Sequence, residues 1–211
     1  MHNIIFVSTV HKKMGKCNAD ELCEILEKIT PNVVFLEALE DTYSKYEQHT
    51  FSNFRVFHKK LEIKAIQKYS SISQFEYVPV LEKGRANSLG KMFSLVCQNI
   101  QYQKMLDNFN SLASKKGFDF LNSAESINLY EEMFEYRDSI LNDMELIETF
   151  NNDLDIYENS MLSNINSYCM NNKFNNAVFM CGVAHRQSII NKIETYKSKK
   201  SLEFSWKIYG H

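Results

Sequence analysis

Glycine and proline are scarce in this chain. Six Gly and two Pro in 211 residues fall well below the roughly 7% and 5% of average usage, which excludes collagen-like, proline-rich and turn-dense all-β chains and favours long helices. Long apolar runs are missing too. The longest, around residues 177–184, is far short of the ~20 residues that a membrane span requires. Neither charge sign is in surplus: 24 Lys and Arg stand against 26 Asp and Glu, a net charge of -2. Neither a basic nucleic-acid-binding face nor an acidic tail is therefore expected. The five cysteines (Cys17, Cys23, Cys97, Cys169, Cys181) contain no Cys-x-x-Cys pair, which suits reduced thiols better than a disulfide framework or a structural zinc. No basic region precedes a long apolar stretch at the N-terminus, so no secretory signal is expected. The expectation is a soluble, cytoplasmic protein.

What is present is enough to build a core. Hydrophobic residues make up 44% of the chain and aromatics 13%, and the length is about one and a half times the ~150 residues of a typical domain. One α/β domain over residues 1–211, with an insertion, is the simplest organisation. Ile4 to Ser8 reads as a buried strand. Asn18 with Glu21 forms a capping box ahead of Leu22, Ile25, Leu26 and Ile29 at helical spacing, a run that Pro31 ends. Val33 to Leu36 is a second buried strand, so the first 36 residues have the order of a parallel βαβ unit. Phe54, Phe57, Leu61 and Ala65 then recur at helical intervals, and Phe75 to Leu81 is a third strand.

Residues 86–172 read as a helical insertion. Leu89, Phe93, Val96 and Ile100 mark one helix, with Tyr102, Met105, Phe109 and Leu112 continuing it. A second is predicted with Asn122 and Glu125 as its cap and a stripe of Ile127, Tyr130, Phe134, Leu141 and Met144. A third carries Leu154, Tyr157, Met161, Ile165 and Tyr168. Ala177 to Cys181 returns to strand, Ile189, Ile190 and Ile193 mark another helix, and Leu202 to Tyr209 closes the chain as an edge strand. The predicted fold is α/β: a mostly parallel central sheet of about five strands flanked by helices, with the helical insertion between strands three and four.

Open parallel sheets bind ligands beyond the carboxyl ends of their strands, so the polar residues just after each strand are the first candidates. They are His11 after strand one, Glu37 after strand two, Glu82 with Arg85 close behind after strand three, and His185 after strand four. Adjacent strands lie only ~4.8 Å apart, so two imidazoles and two carboxylates leaving one edge could meet. Two neutral imidazoles and one carboxylate with open positions are the ligand set of a catalytic divalent metal. Here that set is His11 and His185 with Glu37 or Glu82, and Mn, Co or Zn are fitting ions. The remaining carboxylate is then a general base or a group that orients a ligating imidazole. A metal-free site with an imidazole as base uses the same residues.

Arginine is rare, with four in the chain (Arg55, Arg85, Arg137, Arg186). Arg137 lies on the apolar stripe of its helix, three residues after Phe134 and four before Leu141. A buried guanidinium requires a partner: a site carboxylate, the neighbourhood of Asp138, or a substrate oxygen. The expectation is a contact with Glu37, Glu82 or a bound anion.

These residues resemble a family. F-V-S-T-V-H followed by P-N-V-V-F-L-E, and V-F-M-C-G-V-A-H-R near the C-terminus, are similar to the paired G-x-x-H motifs and acidic residues of the TraB, Tiki, GumN and ChaN group, related to erythromycin esterase. L-E-K-G-R-A-N-S-L and Y-R-D-S-I-L-N-D-M resemble its L-E or D-R segment and its helical R-N or R-D segment. Ser8 stands where the first motif of that group usually has Gly. The resemblance implies an α/β fold with a helical insertion and, for the Tiki branch, a divalent-metal-dependent peptidase activity. The expected function is a metal-assisted hydrolase of peptidase or esterase type acting on a peptide or small-molecule substrate. In it His11, Glu37 and His185 hold the ion, while Glu82, Arg137 and Arg85 serve catalysis. The other readings are a metal-free esterase-like hydrolase and a non-catalytic binder of a small ligand or partner, with the aromatic-rich insertion able to cover a pocket or form a homodimer face.

Overall fold

The computed structural model describes residues 2–39, 60–81, 93–199 and 204–210. Five strands form one sheet: β1 (His2–Thr9), β2 (Val33–Leu39), β3 (Glu76–Leu81), β4 (Asn176–Gly182) and β5 (Phe204–Ile208). All pairings are parallel and the order is β3-β2-β4-β1-β5. The architecture is thus α/β, as the strand and helix alternation predicted. The helices are α1 (Ala19–Ile29), α2 (Leu61–Tyr69), α3 (Ile100–Lys116), α4 (Phe118–Leu121), α5 (Ala124–Leu141), α6 (Met144–Asn171) and α7 (Arg186–Lys199). Among the described residues no helix is long and apolar enough to cross a membrane.

The period-2 alternation of the strands divides the core into two layers. Ile4, Phe6, Val33, Phe35, Ala177, Phe179 and Cys181 face one side, where Tyr157, Met161, Leu162 and Ile165 of α6 and Ile189 and Ile193 of α7 cover them. Val7, Val34, Leu36, Val178 and Met180 face the other, against Leu22 and Leu26 of α1, Ile63 and Ile66 of α2, and Phe109 and Phe120 of the α3–α4 region. Phe179 is fully buried between the rings of Phe6 and Trp206. Truncating it to Ala would cost about 3–5 kcal/mol through lost contacts and the cavity left behind.

Local signals set most helix ends. Asn18 caps α1 by accepting from the backbone N–H groups of Asp20 and Glu21, and Thr30 ends it in the left-handed region (φ 49°) just before Pro31. Three boundaries depart from the sequence reading. The helical run through Val96 does not continue into α3: a turn at Cys97–Asn99 intervenes, and the Asn99 side chain caps a new helix. The cap of α5 is Ser123 rather than Asn122; Asn122 is buried and its amide serves strand β1 instead, bonding the backbone N–H and carbonyl of Ser8. Met144 does not extend the α5 stripe, because Asn142 takes a left-handed conformation and Asp143 caps α6. Phe54, Phe57 and Leu89 lie outside the described residues.

Candidate functional site

The strand order decides what meets at the carboxyl edge. β4 inserts between β2 and β1, so the ends of β2, β4 and β1 are neighbours although their sequence positions are far apart. Thr9 at the end of β1 pairs with Gly182 at the end of β4, and Leu36 of β2 pairs with Met180. Beyond that last β2–β4 pair the Glu37 carboxylate takes over the ladder, and its Oε2 accepts the Gly182 N–H at 2.6 Å. After Gly182 a 3-10 turn (Val183–His185) folds His185 back over the edge.

Gly182 marks the point of convergence. A Cβ there would lie 3.3 Å from Glu37 Oε2, 3.7 Å from His185 Cδ2 and 3.8 Å from His11 Nε2. Its backbone is ordinary (φ -56°), so what favours glycine here is the tight space beside Glu37 and not conformation. The structure therefore brings together His11, Glu37 and His185. His185 Nε2 stands 3.7 Å from Glu37 Oε1. Among the described residues, Glu37, Cys181 and His185 offer ligand atoms within 4.8 Å of one another. His11 faces the same glycine from the side of β1 without belonging to that tight trio.

Each imidazole is gripped from behind by a carboxylate, and the two carboxylates come from opposite layers. His11 Nδ1 is 2.7 Å from Oε1 of Glu62, on α2. The same oxygen accepts from the Thr9 hydroxyl at 3.0 Å. His185 Nδ1 is 2.8 Å from Oε1 of Glu158, on α6. Glu158 Oε2 accepts from Ser188 and from Lys192 Nζ, which also pairs with Asp155 at 2.9 Å. Both glutamates are buried. Pairing at Nδ1 leaves Nε2 of each ring on the side away from its carboxylate, that of His11 toward Gly182 and that of His185 toward Glu37 Oε1.

Glu37 is held without being saturated. Its Oε2 accepts from Gly182 N and from the Cys181 thiol at 3.2 Å, and its Oε1 accepts from the Tyr157 hydroxyl at 2.6 Å. A carboxylate offers about four lone-pair sites, so one on Oε1 stays open toward His185. Burial alone would raise the Glu37 pKa. The charges of His185 and His11 and the Tyr157 and Gly182 hydrogen bonds outweigh it and hold the group at about 2. The hydrogen bond to Glu62 raises His11 against the opposing effect of burial. Burial would lower His185, but Glu158 and Glu37 raise it. Burial and the nearby Glu37 push the Cys181 thiol well up, so it serves as a hydrogen-bond donor to Glu37 rather than a thiolate. The Tyr157 ring also stacks on His185, with centroids 5.4 Å apart.

Arg137 meets one of its three expected partners, the neighbourhood of Asp138, and not Glu37. It is buried, as its stripe position implied, but its guanidinium bonds Asp138 Oδ1 and Asn151 Oδ1 and lies over the rings of Phe134 and Phe150. The neighbouring carboxylate and the start of α6 satisfy the charge locally, so it does not reach Glu37. Glu82 and Arg85 lie outside the described residues. Sequence reasoning missed Glu62, Glu158 and Tyr157, although a signal for the two carboxylates exists. Glu62 sits at helical spacing from Ala65, Ile66 and Tyr69, and Glu158 from Met161, Leu162 and Ile165, so both are acidic groups on an apolar face. No family model, curated protein or solved structure matches the chain.

Proposed function

We propose that the chain is a metal-assisted hydrolase, of peptidase or esterase type, in which His11, Glu37 and His185 hold a divalent cation at the carboxyl edge of the sheet. This reading extends the motif resemblance to the TraB, Tiki, GumN and ChaN group. One observation carries it: both imidazoles are fixed through Nδ1 by buried carboxylates and border the same glycine, His11 by its Nε2 and His185 by its Cδ2, beside a carboxylate with an open lone pair that His185 Nε2 approaches to 3.7 Å. Carboxylate, imidazole and ion in that sequence is the usual way a protein sets ring orientation and ligand basicity at a metal. The donor set of two nitrogens and an oxygen suits Zn, Co or Mn. When bound, such an ion polarises a carbonyl and lowers the pKa of a bound water.

The chain's own residues do the rest. Glu62 and Glu158 orient the rings from the two faces of the sheet, and Tyr157 with Gly182 N–H holds Glu37 so that Oε1 points to the centre. Gly182 leaves the space that a side chain would fill. A metal-free site with an imidazole base uses the same pairing, because a carboxylate at Nδ1 also fixes the tautomer of a general base.

Metal analysis of protein purified without chelator tests the proposal. About one equivalent of a first-row divalent ion is expected, lost in His185→Ala and His11→Ala, together with metal-dependent cleavage of peptide or ester substrates. A folded wild-type protein that takes up no ion from added Zn, Co or Mn would overturn the metal reading.

A further inference from the structure

Arg186 follows His185 directly and is buried to 1% exposure, yet among the described residues it meets no carboxylate. Its guanidinium is instead surrounded by neutral oxygens. One terminal nitrogen donates to Ser8 Oγ at 3.1 Å and to Asn122 Oδ1 at 2.9 Å. The other donates to the backbone carbonyls of Asn122 at 2.7 Å and Tyr209 at 2.9 Å. Its Nε has no hydrogen-bond partner, and burial lowers its pKa to about 10. An uncompensated buried cation is costly, so an arginine here requires a benefit other than charge pairing.

Its partners supply one. Asn122 Oδ1 accepts from Ser8 N at 2.8 Å, and Asn122 Nδ2 donates to Ser8 O at 3.1 Å. The β1–β5 register ends at Phe6 and Ile208, so the Asn122 amide continues the ladder past the end of β5 and fixes the last residues of β1. Arg186 grips that amide, the Ser8 hydroxyl and the chain segment after β5 at once. The planar fork of a guanidinium can bind four acceptors in fixed directions, which an ammonium cannot. Ser8, where the resembling group usually has Gly, supplies one of those acceptors.

We propose that Arg186 is a positioning residue: it ties the strand end three residues before His11 to the turn that carries His185, and so sets the separation of the two imidazoles. The inference rests on the paired-imidazole site proposed above but not on an ion being in it. Its test is nitrogen-15 NMR of the imidazoles in the metal-free 211-residue chain. Wild type is compared with Arg186→Lys, with Ser8→Ala, and with the control Ser126→Ala, which removes a buried hydroxyl bonded to Leu121 and Ser123 carbonyls and not to Arg186. In Arg186→Lys the ring resonances of His11 and His185 are expected to shift while His2, at the other end of β1, stays in place. Cobalt affinity should fall about tenfold or more, the scale of lost outer-sphere support at a metal. If Arg186→Lys does not fold, Ser8→Ala decides by the same ring signals, and Ser126→Ala should leave them unmoved. Unchanged His11 and His185 resonances in the folded variants, with only thermal stability reduced, would overturn the proposal. Shifted rings in a protein that binds no cobalt would support the positioning role and remove the metal reading.

Discussion

Adding a divalent cation to the metal-free protein should release protons, and the site fixes how many. Three buried carboxylates, Glu37, Glu62 and Glu158, face two imidazoles and Lys192. With both rings protonated the charges balance: three negative against three positive. A dication that replaces the two ring protons leaves the net charge of these six groups unchanged on loading, with Asp155 an additional, exposed partner of Lys192 and the His11 ring open to solvent. The pKa values of His11 and His185 are both raised above the usual 6.5, so at pH 6 each ring is mostly protonated and up to two protons should leave per ion bound. Each proton makes the affinity rise about tenfold per pH unit, or about 1.4 kcal/mol. Affinity should therefore climb with a slope approaching two decades per unit. It should flatten only when pH passes the raised values of both rings. Calorimetric titration with zinc or cobalt at pH 6, in buffers of different ionisation enthalpy, gives the proton count directly. Stoichiometric binding at pH 6 with no proton released would refute the reasoning, because the ion would then be held somewhere other than these imidazoles.

Glu37, held at about 2 in the folded state against an ordinary value of 4.5, contributes stability that is complete above pH 4.5 and lost as pH falls toward 2. Urea denaturation across that interval should show wild type losing on the order of 3 kcal/mol more than Glu37→Gln, and parallel curves would contradict the pairing. Arg137→Met should change stability, through the lost Asp138 and Asn151 bonds, and leave metal affinity unaltered; a drop in affinity measured by dialysis would return Arg137 to the site. Gly182→Ala places a methyl 3.3 Å from Glu37 Oε2 against a carboxylate already tied to Tyr157, so it should weaken metal binding at least tenfold in a folded protein, as competition with a chromophoric chelator would report.

The fold was legible because its signals are local. Short unbroken apolar runs in β1, β2 and β4, the Asn18 cap and Pro31 identify strands and helices from neighbouring residues alone. Which strands lie side by side is not local. Nothing near Val33 or Ile4 states that β4 will come between them; that follows from how the helices partition between the two faces. The carboxyl-edge rule still located His11, Glu37 and His185, because every parallel strand ends at the same edge whatever the order. Asn122 shows the opposite limit: its spacing to Glu125 imitates a capping box, while tertiary contact with Ser8 and Arg186 determines its role.

The residues that escaped share one physical description. Arg137 drew attention as a charge on an apolar helical face, and the inference that it must be paired was sound. The same inference applies with equal force to Glu62 and Glu158, whose helical neighbours at three and four positions onward are Ala65 and Ile66, and Met161 and Leu162. A buried charge of either sign requires a partner, but a local partner can satisfy it, as Asp138 does for Arg137. For Glu158 what differs is the availability of an opposite charge: no Lys or Arg lies within four residues of it, whereas Lys59, Lys60 and Lys64 flank Glu62. Glu158 has Lys192 only through the fold, and Glu62 bonds His11 across 51 residues. An inward-facing carboxylate without a cation in its own helical turn therefore points to a distant basic group. In a chain whose unassigned basic groups include two imidazoles at strand ends, that reasoning marks Glu158 as a carboxylate with a distant partner, while the lysines beside Glu62 leave its pairing with His11 legible only in the fold.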